Sequence, residues 1–332
     1  MKNKDSVSDY SWILNEFTPK LVSVIIPTYN RSDLLKEAIN STVNQTYRPI
    51  ECIVVDDGSI EDIKSVVESF QKYSDDNLSF HYIHQQNSGS QSARNKGTLA
   101  SKGEYIQYLD SDDLLYSNKI AEQVYFFKQN SFCDGVFGNW NKGLPDKNEF
   151  VKAFAKDDLI SQFIGECCIH TLSFLMKRSL IAKIGPWDLD IKRNQEVDFH
   201  LRGLLVGANY QYQDINCGLW RTHSGERIIS TTGMNEILFF YRKWVNILIN
   251  SNLLNPFRSK VIGNIIFWQT ISFPNMNYLE RINTLAFAFS LNNDIVYFNT
   301  RKFKLLRNLL GNRMAIFLWF FYFRNISKIQ SK

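Results

Sequence analysis

Long apolar runs are missing from this 332-residue chain: the longest, Met314–Phe323, has ten residues. A bilayer-spanning helix needs about 20, so no segment reads as a membrane span. The opening residues MKNKDSVSDYSW carry no apolar stretch of the signal-peptide kind. Cysteine is scarce and odd in number, five residues with no CxxC pair. That fits a reducing compartment better than a disulfide framework or a structural zinc site, and it sets the expectation of a cytoplasmic protein with buried thiols. With 16 Gly and 7 Pro, collagen-like and low-complexity classes are also excluded. Neither GxGxxG nor GxxxxGKS/T occurs, so the dinucleotide fingerprint and the P-loop are both absent.

What is present can build a core: 44% of residues are hydrophobic and 14% aromatic. The charge is uneven. Residues 301–332 hold eight Lys or Arg and no acid, a segment of +8 that leaves the first 300 residues at −3 given the total of +5. A near-neutral body with one basic end argues against a nucleic-acid-binding domain and for a localised anionic partner, with a membrane surface as the candidate. The last thirty residues mix bulky aromatics with spaced cations, which suits either the membrane interface or a helix pair packed on the protein.

Residues 1–20 are polar and read as a lead-in. Leu21–Ile26, Ile50–Val55, Phe80–Ile83 and Tyr105–Leu109 are short apolar runs that predict buried strands. Between them Leu34, Leu35, Ala38, Ile39 and Val43 recur at helical spacing after Ser32, a candidate N-cap, and Ile63, Val66, Val67 and Phe70 do the same. A further helix is expected around Ser92–Ala100. This alternation predicts βαβ units and a parallel sheet, in which ligands bind beyond the carboxyl ends of the strands. Three of the four strands end there in polar clusters: PTYNR, DDGS and DSDD. From about Gly233 the strand signal stops, and Ile237–Ile249, Val261–Ile271 and Tyr278–Leu291 read as aromatic-rich helices.

Asp110-Ser111-Asp112-Asp113 stands at a strand end, where Asp110 and Asp112 can share a face. Paired carboxylates make a hard-oxygen site for Mg²⁺ or Mn²⁺, while Asp is also common in turns and N-caps. Asp56-Asp57-Gly58-Ser59 has the same two readings. Glu196 and Asp198 lie at an expected helix start, where a carboxylate serves as a general base or as a solvated helix-terminal acid. His223 is a candidate metal ligand or a structural hydrogen-bonder. The polar stretch Gln86–Gly97 offers Arg94 and Lys96 for diphosphate charge, or is a loop capping a helix. Cys167, Cys168 and His170 match no usual zinc spacing and are assigned no chemistry.

Taken in order, SVIIPTYNR, VVDDGS, NSGSQSARNKG, YLDSDD, GPWDLD and QEVDFHLR closely resemble family 2 glycosyltransferases of the GT-A fold, over about residues 21–225. The resemblance implies an α/β Rossmann-like, mostly parallel sheet flanked by helices. It also implies inverting transfer of a sugar from a nucleotide-sugar donor, usually a UDP-sugar, to an acceptor hydroxyl on a glycan or lipid-linked substrate. By that likeness Pro27, Tyr29 and Arg31 line the nucleotide pocket, Asp57 reads the base, Arg94 lies near the nucleotide and diphosphate, and Asp110 near the ribose. Asp112 and His223 would hold the Mn²⁺ or Mg²⁺. Glu196 occupies the catalytic-base position, where an Asp is usual in the family, and Trp187 and Asp188 border the acceptor, with a place in the core the equal alternative for Trp187. The expected organisation is a lead-in 1–20, a GT-A catalytic domain 21–232 and a helical, basic-aromatic region 233–332. The expected setting is the cytoplasm, peripherally on the inner membrane face if the tail binds lipid. The rival expectations are a catalytically silent sugar-nucleotide binder and a nucleotidyltransferase, the latter disfavoured by the missing Gly-rich, Lys-bearing first loop.

Overall fold

The computed structural model describes residues 12–13, 16–165, 169–222, 233–273, 276–293, 295, 305–311, 314–316 and 318. They fall into two compact units. The first holds described residues up to 159 with 169–190 and 195–222; the second holds 160–165, 191–194 and the described residues from 233 onward.

The first unit begins as the alternation of the sequence demands. Strand β1 (Thr18–Thr28) is followed by helix α1 (Ser32–Val43), β2 (Ile50–Asp56), α2 (Ile63–Glu68), β3 (Leu78–His84), α3 (Ser90–Ala100) and β4 (Gly103–Tyr108). The β-branched runs Val22–Ile26 and Ile50–Val55 are buried on both faces, as strands covered by helices must be. β3, β2, β1 and β4 pair in parallel in that order. Helix α3 lies close on β1 and β2 because Gly97 faces them: a Cβ there would sit 2.5 Å from Ile25 Cγ2 and 3.2 Å from Val55 Cγ2.

Beyond β4 the sheet becomes mixed. Short β8 (Leu175–Lys177) runs antiparallel to both β4 and β6 (Gly135–Leu144), and β6 pairs in parallel with β9 (Tyr210–Arg221). β5 (Leu114–Leu115) closes onto β9, and β7 (Lys147–Val151) forms a hairpin with β6. Helices α4 (Lys119–Gln129), α6 (Arg178–Ile184) and α7 (Gln195–Leu205) complete the unit. The result is the α/β, GT-A-type architecture expected from the sequence, with parallel order confined to its first four strands and the β6–β9 pair.

One local expectation is corrected. Ser32 opens α1 as its first helical residue; Arg31 is the N-cap and makes no side-chain cap bond. The Ser32 N–H is instead satisfied by the Glu61 carboxylate at 2.7 Å.

The second unit includes helix α5 (Leu159–Gly165) from residue 160 on, with helices Met234–Asn250, Pro256–Ser272 and Tyr278–Leu291. Asn255 and Asn277 cap the latter two, accepting from the Arg258 and Glu280 N–H groups, and Pro256 sits where a missing N–H costs nothing. Phe240, Trp244, Phe267 and Phe289 fill its interior. Gly263 permits close helix approach, since a Cβ there would stand 2.8 Å from Ala288 O. Among the described residues no helix is long and apolar enough to cross a membrane.

Candidate active site

Parallel pairing brings the polar ends of β1, β2, β3 and β4 to one edge of the sheet. The loops there are stitched together: Asn30 N–H donates to Ser59 Oγ at 2.9 Å, and Ile60 N–H returns a bond to Asn30 Oδ1 at 2.8 Å. Pro27 is buried in this end of β1, and Tyr29 beyond it is 46% exposed.

After β4 the chain turns through Asp110–Asp113, closed by the Asp113 N–H to Asp110 O bond of 3.0 Å. One carboxylate oxygen from each of Asp110, Asp112 and Asp113 lies within 4.8 Å of the others. Three hard oxygen donors at such spacing suit Mg²⁺ or Mn²⁺ and not a soft metal. Asp113, missed from the sequence although it completes the DSDD motif, is 1% exposed. Burial first, then the negative charges of Asp112 and Asp110, push its carboxyl well above the usual carboxylate range, with Arg221 opposing. A buried acid among like charges is stabilised by an added cation, so the donor set fits a divalent ion. His223, expected beside it, lies outside the described residues.

Arginines tie this turn to its surroundings. Arg31 donates to Asp112 Oδ2 at 2.8 Å. Arg94 is buried and bridges two parts of the site. One arm donates to Asp110 Oδ1 at 2.6 Å and another to Gln195 Oε1 at 3.1 Å. Its guanidinium also lies 4.6 Å from the centre of the Trp187 ring. Gln195 begins α7, whose next residue is Glu196, so Arg94 couples the acidic turn to the helix expected to carry the base. Arg94, expected near the diphosphate, has both terminal nitrogens on protein partners in this arrangement, Asp110 and Gln195 among them. Lys96 is likewise engaged, donating to His84 O at 2.8 Å.

The two first-turn acids of α7 differ. Asp198 is 1% exposed and paired to Arg202 Nε at 2.9 Å, while Glu196 is half-buried. Asp57, expected to read the base, is held by the loop that follows β3. Its Oδ1 accepts from Gln85 Nε2 at 2.7 Å and Ser88 N–H at 2.8 Å, and its Oδ2 from Gly89 N–H at 2.8 Å. It anchors the loop before α3, and a nucleobase would have to share those oxygens.

Trp187, expected to border the acceptor, is a core residue at 2% exposure. It stacks on Phe199 at 4.3 Å and meets Tyr108 edge-on at 5.1 Å. Asp188 beside it accepts from the Asp190 N–H at 2.8 Å. His170, given no role from sequence, has its Nε2 3.7 Å from Asp113 Oδ2 and its ring 5.2 Å from that of Trp220. Its flanking Cys167 and Cys168 lie outside the described residues.

Residues 23–185 match the family described as Glycosyl transferase family 2. An uncharacterised glycosyltransferase of Rickettsia typhi is 31% identical over 242 residues, 70% of this chain and 73% of the relative. The chain belongs to glycosyl transferase family 2. It is also similar to the GalNAc(5)-diNAcBac-PP-undecaprenol β-1,3-glucosyltransferase of Campylobacter jejuni, at 37% identity over 45% of this chain and 50% of that enzyme. Among solved structures it shares the fold of Staphylococcus aureus TarS in complex with UDP-GlcNAc. That match has a TM-score of 0.52 and 17% identity, covering 88% of this chain and 79% of the other.

Proposed function

We propose that this glycosyltransferase moves a sugar, with inversion, from a UDP-sugar to a hydroxyl of a glycan or lipid-linked acceptor in surface-glycan synthesis, a hexosyl or N-acetylhexosaminyl transfer. The observation that carries the reading is the Arg94 bridge, which sets the Asp110–Asp113 turn and the Glu196 helix in one hydrogen-bonded frame. The TarS complex with UDP-GlcNAc and the undecaprenol-linked acceptor in the Campylobacter enzyme's name support the donor and acceptor classes.

In this reading Asp110, Asp112 and Asp113 hold the divalent ion, with His223 as a further ligand. When bound, such an ion neutralises charge on the departing diphosphate. Tyr29 and Arg31 border the nucleotide. Glu196 takes the proton of the acceptor hydroxyl, whose oxygen forms the new bond to the anomeric carbon. The old anomeric C–O bond breaks, and its electron pair leaves with UDP. Asp198 is the wrong base because its carboxylate is committed to Arg202.

The catalytic part is taken as residues 21–232. Residues 233–332 form an appendage whose basic end, with Leu305 and Leu309 exposed, suits the cytoplasmic face of an anionic membrane. The deciding experiment is UDP release from a panel of UDP-sugars with Mn²⁺ or with EDTA. Asp112→Ala should lose metal-dependent release. Glu196→Gln should keep donor binding and lose about 10²-fold or more in transfer. Full transfer by Glu196→Gln would place the base elsewhere, and donor binding without release under any acceptor would mean a silent binder.

A further inference from the structure

Arg221, the last residue of β9, was not singled out by any sequence pattern, yet its hydrogen bonds hold the acidic turn from behind. It is 3% exposed. Its main-chain N–H donates to Asp113 Oδ1 at 3.1 Å, and its Nε donates to the Asp112 carbonyl at 2.5 Å. One terminal nitrogen reaches Leu34 O at 3.0 Å and Ser111 O at 3.5 Å; the other donates to Glu37 Oε2 at 2.6 Å. A single planar fork thus joins the end of β9, the backbone of the turn and the start of α1.

We propose that Arg221 is a positioning residue for the divalent-cation site. It sets the Asp110–Asp113 turn so that the three carboxylates converge, and its bond to Glu37 keeps the fork in register with α1. The inference rests on the metal reading of that turn. Two physical points carry it. Several carbonyl oxygens of a tight turn are held in fixed relation better by a guanidinium, whose planar donors have set directions, than by an ammonium, whose donors rotate. Groups behind a metal ligand commonly change metal affinity 10–100-fold when removed. Arg31 differs in kind, because it meets a carboxylate oxygen directly and competes with a cation, whereas the Arg221 side chain meets the turn through the Asp112 and Ser111 carbonyls.

The experiment titrates Mn²⁺ alone into the full-length protein, followed by electron paramagnetic resonance, at about 0.15 M salt to screen distant charge. Circular dichroism confirms the fold at the titration temperature. Arg221→Lys keeps the charge and loses the fork, so Mn²⁺ affinity should fall about tenfold while the protein remains folded. Glu37→Ala and Glu37→Gln both remove a carboxylate at an exposed helix position, but Gln keeps an acceptor for the guanidinium. Glu37→Ala should therefore bind Mn²⁺ more weakly than Glu37→Gln, by twofold or more. If Arg221→Lys does not fold, the Glu37 pair decides. Wild-type Mn²⁺ affinity in folded Arg221→Lys, or equal affinities in the two Glu37 variants, would overturn the proposal. No Mn²⁺ binding by the wild type, with or without UDP, would instead remove the metal reading on which it rests.

Discussion

Replacing Arg31 with glutamine should strengthen the binding of Mn²⁺ alone and weaken the binding of UDP. The opposite signs come from the geometry. Arg31 sits 2.8 Å from Asp112 Oδ2, with side-chain exposures of 28% and 16%. A cation ligated through that oxygen displaces the guanidinium from it. Fully exposed pairs are worth less than about 1 kcal/mol, and breaking buried ones costs about 3–5 kcal/mol. This pair is partly open and screened, so about 1 kcal/mol is the appropriate scale. That corresponds to about fivefold in a binding constant. Once a nucleotide is bound the displaced guanidinium has a diphosphate to meet, and its loss then costs affinity. Calorimetric titration of Mn²⁺ into wild type and Arg31→Gln, followed by UDP at saturating Mn²⁺, reads both effects. Weaker or unchanged Mn²⁺ binding in Arg31→Gln would show that the arginine holds Asp112 in place for the cation and does not compete with it.

Three further outcomes test the scaffold around the site. Burial, with the Arg202 charge second, holds the His200 imidazole down at about 3. In the unfolded chain it titrates near about 6.5. Between those values only the unfolded state takes up the proton, so stability is full above about pH 6.5 and falls toward pH 3. From pH 7 to pH 5 this one group should cost about 2 kcal/mol, read as a steeper loss of urea stability in wild type than in His200→Leu. Equal slopes would refute it. Trp187→Ala should destabilise by about 3–5 kcal/mol in denaturant titrations and loosen Arg94, because it removes the ring on which that guanidinium rests; a loss below about 1 kcal/mol would mean the stack with Phe199 is not part of the core. Gly97→Val should lower stability by about 1–3 kcal/mol or more through overpacking against Ile25, and a thermal midpoint at the wild-type value would contradict the contact.

β1 and β2 were legible because they are buried on both faces and so appear as continuous apolar runs rich in β-branched residues, and β3 and β4 showed as the shorter stretches Phe80–Ile83 and Tyr105–Leu109. The second half of the sheet carries no such mark. β9 reads YQYQDINCGLWR and β6 GVFGNWNKGL, with polar residues where a buried strand would have aliphatic ones. The structure accommodates them by pairing the polar groups across strands. Asn216 Nδ2 donates to Asn141 Oδ1 at 2.6 Å, and Tyr212 Oη donates to Asn139 Oδ1 at 3.0 Å. A polar side chain costs little inside a sheet once its partner is there, but the partner lies some 75 residues away in the chain, and hydropathy cannot reveal it.

The same distance explains what was hidden at the site. The acids could be found, since Asp110, Asp112 and Glu196 stand at element ends where their chemistry has local meaning. Arg31 and Arg94 were named too, but not the distant contacts they make, Arg31 with Asp112 across 81 positions and Arg94 with Gln195 across 101, and Arg221, which meets Asp113 across 108, carried no local mark. Each of the three is bound to a different part of the acidic turn, and the difference decides its chemistry. Arg31, on a carboxylate oxygen and partly exposed, can yield to a cation. Arg94, buried on Trp187 and shared with Gln195, cannot leave without releasing the Glu196 helix. Arg221, on backbone carbonyls, carries the shape of the turn. Charge alone would make the three interchangeable, whereas geometry predicts three separable phenotypes: tighter Mn²⁺ binding on losing Arg31, weaker Mn²⁺ binding on losing the Arg221 fork, and impaired transfer with donor still bound on losing Arg94.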